Sequence, residues 1–175
     1  MKKILSLCIP VALIGMISCN QAPKANNAMG DQNKATVDKY IQAVSSGDLT
    51  TMGDLLADGY KGYGPAQNDS TDKAKSLAGW KTNWDSLYSS IKYNRITAQN
   101  LSIAEGNGKG DWVLEWANIT LNYKDGSPSA TFPFHAAYQV ENSKIVFSVV
   151  YYDLAGILRQ RGYTFVPPAA AAPAK

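Results

Sequence analysis

The stretch Asp111-Trp112-Val113-Leu114-Glu115-Trp116-Ala117-Asn118-Ile119-Thr120-Leu121-Asn122-Tyr123 decides the fold class of this 175-residue chain. It has the two-residue period of a long β-strand. Turn signals lie on both sides. Gly106-Asn107-Gly108-Lys109-Gly110 before it reads as a hairpin loop, and Lys124-Asp125-Gly126-Ser127-Pro128 after it as a second turn. Further out, Tyr93 to Ala104 reads as a strand whose Ile96, Ala98 and Leu101 alternate imperfectly. Ala130 to Val140 is another strand, and Glu141-Asn142-Ser143 turns the chain into a last strand, Lys144 to Tyr152. Asp153 to Arg161 then reads as a short helix ended by Gly162.

Upstream the period is helical. Thr36 caps a helix that runs to Ser46, with Val37, Tyr40, Ile41 and Val44 on one face, and Gly47 stops it. Asp48 caps a second short helix carrying Leu49, Met52, Leu55 and Leu56. Gly59-Tyr60-Lys61-Gly62-Tyr63-Gly64-Pro65 reads as a loop because of its glycines and proline. A third helix is expected from about Thr71 to Ser89, where Leu77, Trp80, Trp84, Leu87 and Tyr88 recur at three- and four-residue spacing. Helices first and an antiparallel meander afterwards indicate an α+β domain, here over 36–165.

The ends read differently. Met1-Lys2-Lys3 and the apolar run Ile4 to Ile17 have the layout of a secretory signal, 1–18, too short to span a membrane comfortably. Met16-Ile17-Ser18-Cys19 resembles a lipobox, with Met16 where Leu is usual, and implies lipidation at Cys19 and export to a membrane surface, periplasm-facing or at the cell surface. Cys8 lies within the signal, so Cys19 would have no disulfide partner in the mature chain. Residues 19–35 read as a polar tether and Val166 to Lys175 as a Pro/Ala tail.

Composition excludes several classes. The formal net charge is +3, and two of those charges, Lys2 and Lys3, belong to the signal. No basic run offers a footprint for nucleic acid. The chain has one histidine and two cysteines, too few for a transition-metal site. No dinucleotide, phosphate-loop or zinc-protease fingerprint occurs, so no cofactor is expected, nor any G-x-S-x-G nucleophile.

Three groups of residues resemble the SnoaL-like branch of the NTF2-like superfamily. They are Ser46-Gly47-Asp48-Leu49 followed by Leu55-Leu56-Ala57-Asp58-Gly59-Tyr60, then Trp112-Val113-Leu114-Glu115-Trp116, and lastly Phe134-His135 with Ser143-Lys144-Ile145-Val146, Tyr151-Tyr152-Asp153 and Gln160-Arg161-Gly162. Arg161 stands where that family usually ends in Gln-Leu-Gly. The resemblance implies a cone of N-terminal helices against a strongly curved antiparallel sheet, with a pocket inside. It further implies that Asp153, at the strand end, could act as a proton-transferring base. The simpler reading of Asp153, from the residues themselves, is the N-cap of the last helix, accepting backbone amides near Gly156. His135 could assist as acid/base partner if its strand face lines the pocket. The alternation sets it with Thr131, Pro133, Ala137 and Gln139, against Phe132, Phe134, Ala136 and Tyr138. Tyr63, Trp80, Trp84, Trp112, Trp116 and Tyr152 are candidates to line an apolar pocket or to fill the core, with Tyr63, Trp80, Trp84, Trp116 and Tyr152 the preferred ligand contacts. Glu115 reads either as a weaker candidate or as an exposed strand position. Three functions are compatible with these residues: a tethered domain binding a small, largely apolar molecule, an enzyme of proton transfer, cyclisation or isomerisation using Asp153, or a module that forms homodimers through its sheet.

Overall fold

The computed structural model describes residues 28–166. The signal, Cys19 and nearly all of the Pro/Ala tail lie outside the described residues. The first helix, α1 (Ala28–Ser46), begins eight residues before the expected start at Thr36, inside the stretch read as tether. Its first turns are polar yet not free of the core. Asn33 and Thr36 are buried, and with Val37, Tyr40 and Ile41 they continue one i, i+3, i+4 stripe back towards the start. Gly47 ends α1 with φ +76°, a left-handed conformation that suits glycine. Asp48 then caps α2 (Leu49–Leu55), its carboxylate accepting from the Thr51 amide at 3.0 Å.

The segment expected to be a loop is a strand. β1 (Leu56–Tyr63) pairs in parallel with β6 (Lys144–Tyr152) and antiparallel with the short β2 (Ser70–Asp72). Its glycines weaken local strand propensity, but backbone pairing on both sides supplies what side chains do not. The expected third helix is also divided. Asp72 caps α3 (Lys73–Thr82), a five-residue π-helical turn follows over Asn83–Leu87, and Tyr88 already belongs to β3 (Tyr88–Ile103).

Of the remaining strands, β4 (Gly110–Tyr123) and β5 (Ala130–Glu141) match the two-residue period closely, whereas in β6 a register irregularity between Ile145 and Phe147 breaks it. The sheet order is β2-β1-β6-β5-β4-β3. It is therefore mixed rather than wholly antiparallel, because β1 runs alongside β6. Along β4 the odd positions from Val113 to Tyr123 face inwards and are buried, while the even positions face out. The helices cover the inward face, and one continuous core joins Val37, Met52, Leu56, Val113, Ala136 and Ile145.

The last helix, α4 (Leu154–Gln160), completes the open edge of β5. The Gln160 side chain accepts from the Thr131 amide at 2.9 Å and donates to the Thr131 carbonyl at 3.0 Å, as a neighbouring strand would. Arg161, the departure from the family ending, lies over the Tyr123 ring at 4.1 Å and pairs with Asp125 at 3.0 Å. It fastens the end of α4 to the β4–β5 turn.

Candidate functional site

Between helices and sheet lies a cavity of about 450 Å³. Its walls follow from strand parity. Ile91 and Tyr93 of β3, Ile119 and Leu121 of β4, and Phe132 and Phe134 of β5 all point inwards. β6 adds Ser148, Val150 and Tyr152, while Tyr40 and Ile41 of α1 and Trp80 of α3 close the helical side. Exposed Tyr63, Asp69 and Lys75 mark the mouth. The Tyr60 hydroxyl shares a hydrogen bond of 2.7 Å with Ser148. Burial raises the phenols of Tyr40, Tyr60 and Tyr138 above the ordinary tyrosine value and pushes Tyr88 up to about 12, so all stay neutral hydroxyls near pH 7. The wall offers aromatic surface and neutral hydrogen-bonding groups, a composition that holds a largely apolar molecule and orients it.

One end of this space is charged. A β-bulge lies between the pairs Arg95↔Ala117 and Thr97↔Trp116, so Ile96 is extra and the parity of β3 changes there. This accounts for the imperfect alternation in the sequence. Arg95, before the bulge, keeps the inward parity of Ile91 and Tyr93 and so lies close to Glu115, which is completely buried. The Arg95 guanidinium donates to Glu115 through Nε and to Asp38 of α1 through Nη2. Glu115 is thus not an exposed strand position, and one of its oxygens, Oε2, has no hydrogen-bond partner. Burial raises its carboxyl above the usual range despite the neighbouring Arg95. A recess of about 350 Å³, bordered by Asp38, Ile41, Gln42, Ser45, Tyr93 and Arg95, adjoins this cluster.

The residues singled out in the sequence divide sharply. Trp80 and Tyr152 line the cavity, whereas Tyr63 reaches its edge and packs its ring on Phe147 at 5.5 Å, on the outer face of the sheet. Trp84 does not line it. Its indole donates to the Val44 carbonyl at 3.0 Å, and its ring lies 3.0 Å from where a Cβ on Gly47 would be, so it clamps the turn after α1. It nonetheless packs on the same apolar cluster as Trp80, as their four-residue spacing indicates, although Trp84 already lies in the π-helical turn. Trp116 lies on the outer face of the sheet, 37% exposed, stacked on His135 at a centroid distance of 4.6 Å.

His135 is on that outer face as well, its Nδ1 2.9 Å from the Glu115 carbonyl oxygen. Asp153 is the N-cap of α4. It accepts from the Gly156 amide at 2.8 Å and pairs loosely with Arg159 at 3.4 Å, with its side chain 56% exposed. Neither lines the cavity, and the structure does not bring them together over it. Tyr40, Tyr60, Tyr93, Tyr138 and Ser148 were missed as site residues; they come from five different elements, and only for Tyr138 did parity along β5 supply a face, shared with Phe132 and Phe134.

These features place the chain among known proteins. A family model described as a SnoaL-like domain matches residues 34–155. The chain belongs to the SnoaL-like family. Solved structures agree at the level of fold. This SnoaL-like chain is similar to an LEH-like epoxide hydrolase from M. tuberculosis, at 14% identity and TM-score 0.59 over 75% of this chain and 90% of that one. It resembles a protein of ketosteroid isomerase-like fold from Catenulispora acidiphila, at 18% identity and TM-score 0.59 over 75% and 97%. It also resembles IdmH of Streptomyces antibioticus, provisionally assigned as a polyketide cyclase, at 17% identity and TM-score 0.59 over 75% and 99%. No curated protein matches the SnoaL-like chain in sequence.

Proposed function

We propose that this SnoaL-like domain binds a small, largely apolar molecule in the cavity between its helices and sheet. The observation that carries the reading is the cavity itself: about 450 Å³ walled mainly by aromatic and aliphatic side chains, a volume suited to a small ligand. The Catenulispora protein of the same fold was crystallised in complex with trimethylamine, which supports the fold as a container for small molecules. Catalysis through Asp153 has less support, since that carboxylate caps α4 in solvent and lies off the cavity wall.

Native mass spectrometry of the intact chain tests the reading. A bound molecule of defined mass is expected, and Val150→Trp, which fills the cavity from the β6 wall, is expected to abolish it. Retention of the same mass by a folded Val150→Trp protein would place the ligand elsewhere. The same spectra address a second reading, self-association through the outer sheet face. That face carries Trp116, His135 and Tyr151 in a stack and Trp112 against Phe147, an aromatic patch of the kind that marks interfaces. A purely monomeric spectrum at all concentrations would remove it.

We further propose that the domain is exported and held at a membrane by a lipid on Cys19, a reading supported by the lipobox-like Met16-Ile17-Ser18-Cys19. Cys19→Ser is expected to abolish fatty-acid labelling and move the protein to the soluble fraction. Unchanged labelling would refute the assignment.

A further inference from the structure

Glycine inside a helix is unfavourable relative to alanine, because it gives up the most backbone freedom on folding. α3 carries one, Gly79, with Trp80, Lys81 and Thr82 still to follow. Its backbone is α-helical and its φ is not positive, so the conformations open only to glycine are not used there. Close packing does not call for it either, since a Cβ at Gly79 would meet nothing within 4 Å.

Other glycines of the cavity wall differ. Gly62 and Gly64 also border the hollow, but the Tyr60 hydroxyl and the Asp69 carboxylate take the places their side chains would need. Gly79 leaves its place empty. Helical spacing sets it in one row with Lys75 and Asn83, a turn to either side, and the Asn83 amide donates to the Gly79 carbonyl. All three border the cavity. Gly79 and Lys75 are exposed, whereas Ser76 and Trp80, on the inner side of the row, are half-buried and border the cavity as well. The row is therefore the rim, and Gly79 makes a notch in it between the side chains of Lys75 and Asn83.

We propose that Gly79 is a specificity-determining position: the ligand is an elongated molecule whose end leaves the cavity through this notch, against bare α3 backbone. This rests on the cavity being a ligand site, as proposed above, and adds the shape of the ligand. A compact molecule lies wholly within the hollow and is indifferent to residue 79. A longer one meets any side chain placed there.

Two neutral phenols test it by isothermal titration calorimetry on the intact chain: 2-naphthol, which is compact, and 4-(phenylethynyl)phenol, a rigid rod. Gly79→Leu is expected to weaken the rod at least about tenfold, the scale of one steric overlap in a packed site, and to leave naphthol within about twofold. Gly79→Ala should raise the melting temperature of the empty protein by about 2–4 °C, because alanine favours the helix and meets no neighbour.

A lowered melting temperature in Gly79→Ala would mean that the fold itself needs glycine there, and overturns the proposal. Equal losses of both probes in Gly79→Leu, an unchanged rod, or a wild-type chain that takes naphthol and refuses the rod also overturns the notch, while leaving the cavity as a ligand site. Binding of neither probe to the wild-type chain overturns both.

Discussion

Exchanging Arg95 for methionine is expected to lower the stability of the fold by about 3 kcal/mol near neutral pH, since removing one partner of a buried ion pair typically costs about 3–5 kcal/mol and Arg95 itself is partly exposed. The loss arises at Glu115, which is fully buried and keeps Arg95 as its cationic neighbour. The carboxyl can escape part of the penalty by taking up a proton. Burial holds it above its ordinary value of 4.5, so in the window from there to the raised value the folded chain keeps a proton that the unfolded chain has released. Through that window stability falls as pH rises, then levels off once both states are ionised. The cost of Arg95→Met should accordingly shrink at pH 5. Glu115→Gln should erase the fall with pH, and the double variant Arg95→Met/Glu115→Gln should recover most of the loss. Urea unfolding across pH checks each of these. A loss below about 1 kcal/mol for Arg95→Met at pH 7.5 would mean that Glu115 does not depend on Arg95.

Leu56→Ala is expected to cost about 3 kcal/mol, within the range for a leucine truncated in a well-packed core. Leu56 is the first residue of β1, pairs with Ile145 of β6, and both are buried at 1% exposure or less. Ile96→Ala, at the exposed bulge, is the matched comparison and should change stability by less than about 0.5 kcal/mol. Equal losses at the two sites would show that β1 is not anchored through Leu56.

Leu56 also shows where the sequence was hard to read. In the sequence Leu56 reads as the end of a short helix and Gly59 to Pro65 as a loop, because glycines and a proline interrupt that stretch. What makes it a strand is pairing with β6, some ninety residues later, and no local pattern contains that partner. The meander from β4 to β6 was legible for the opposite reason. Its strands are neighbours in sequence, joined by turns built around Gly126 and the Asn142-Ser143 pair, and the inward sides of β4 and β5 repeat every second residue.

The site was legible only by half. Parity placed Trp116 and His135 on one side of the sheet but could not say which side was hollow. The spacing of Trp80 and Trp84 put both on one apolar cluster, but it carried no sign that only Trp80 borders the hollow. Glu115 reads in the sequence as no more than a weak candidate, because a charged residue among alternating strand positions is ordinarily solvated. Its pairing with Arg95, which shares the inward parity of Ile91 and Tyr93, lets it stay inside.

Because β4 carries inward and outward residues in strict alternation, it cannot be lengthened by one. A single inserted codon between Trp112 and Tyr123 would turn Glu115 out to water and drive Trp116 into the hollow in the same stroke, exchanging two surfaces at once. The same insertion in the Gly106–Gly110 hairpin would be absorbed. Length variation among relatives of this chain should therefore gather in its turns and stop abruptly at the ends of β4.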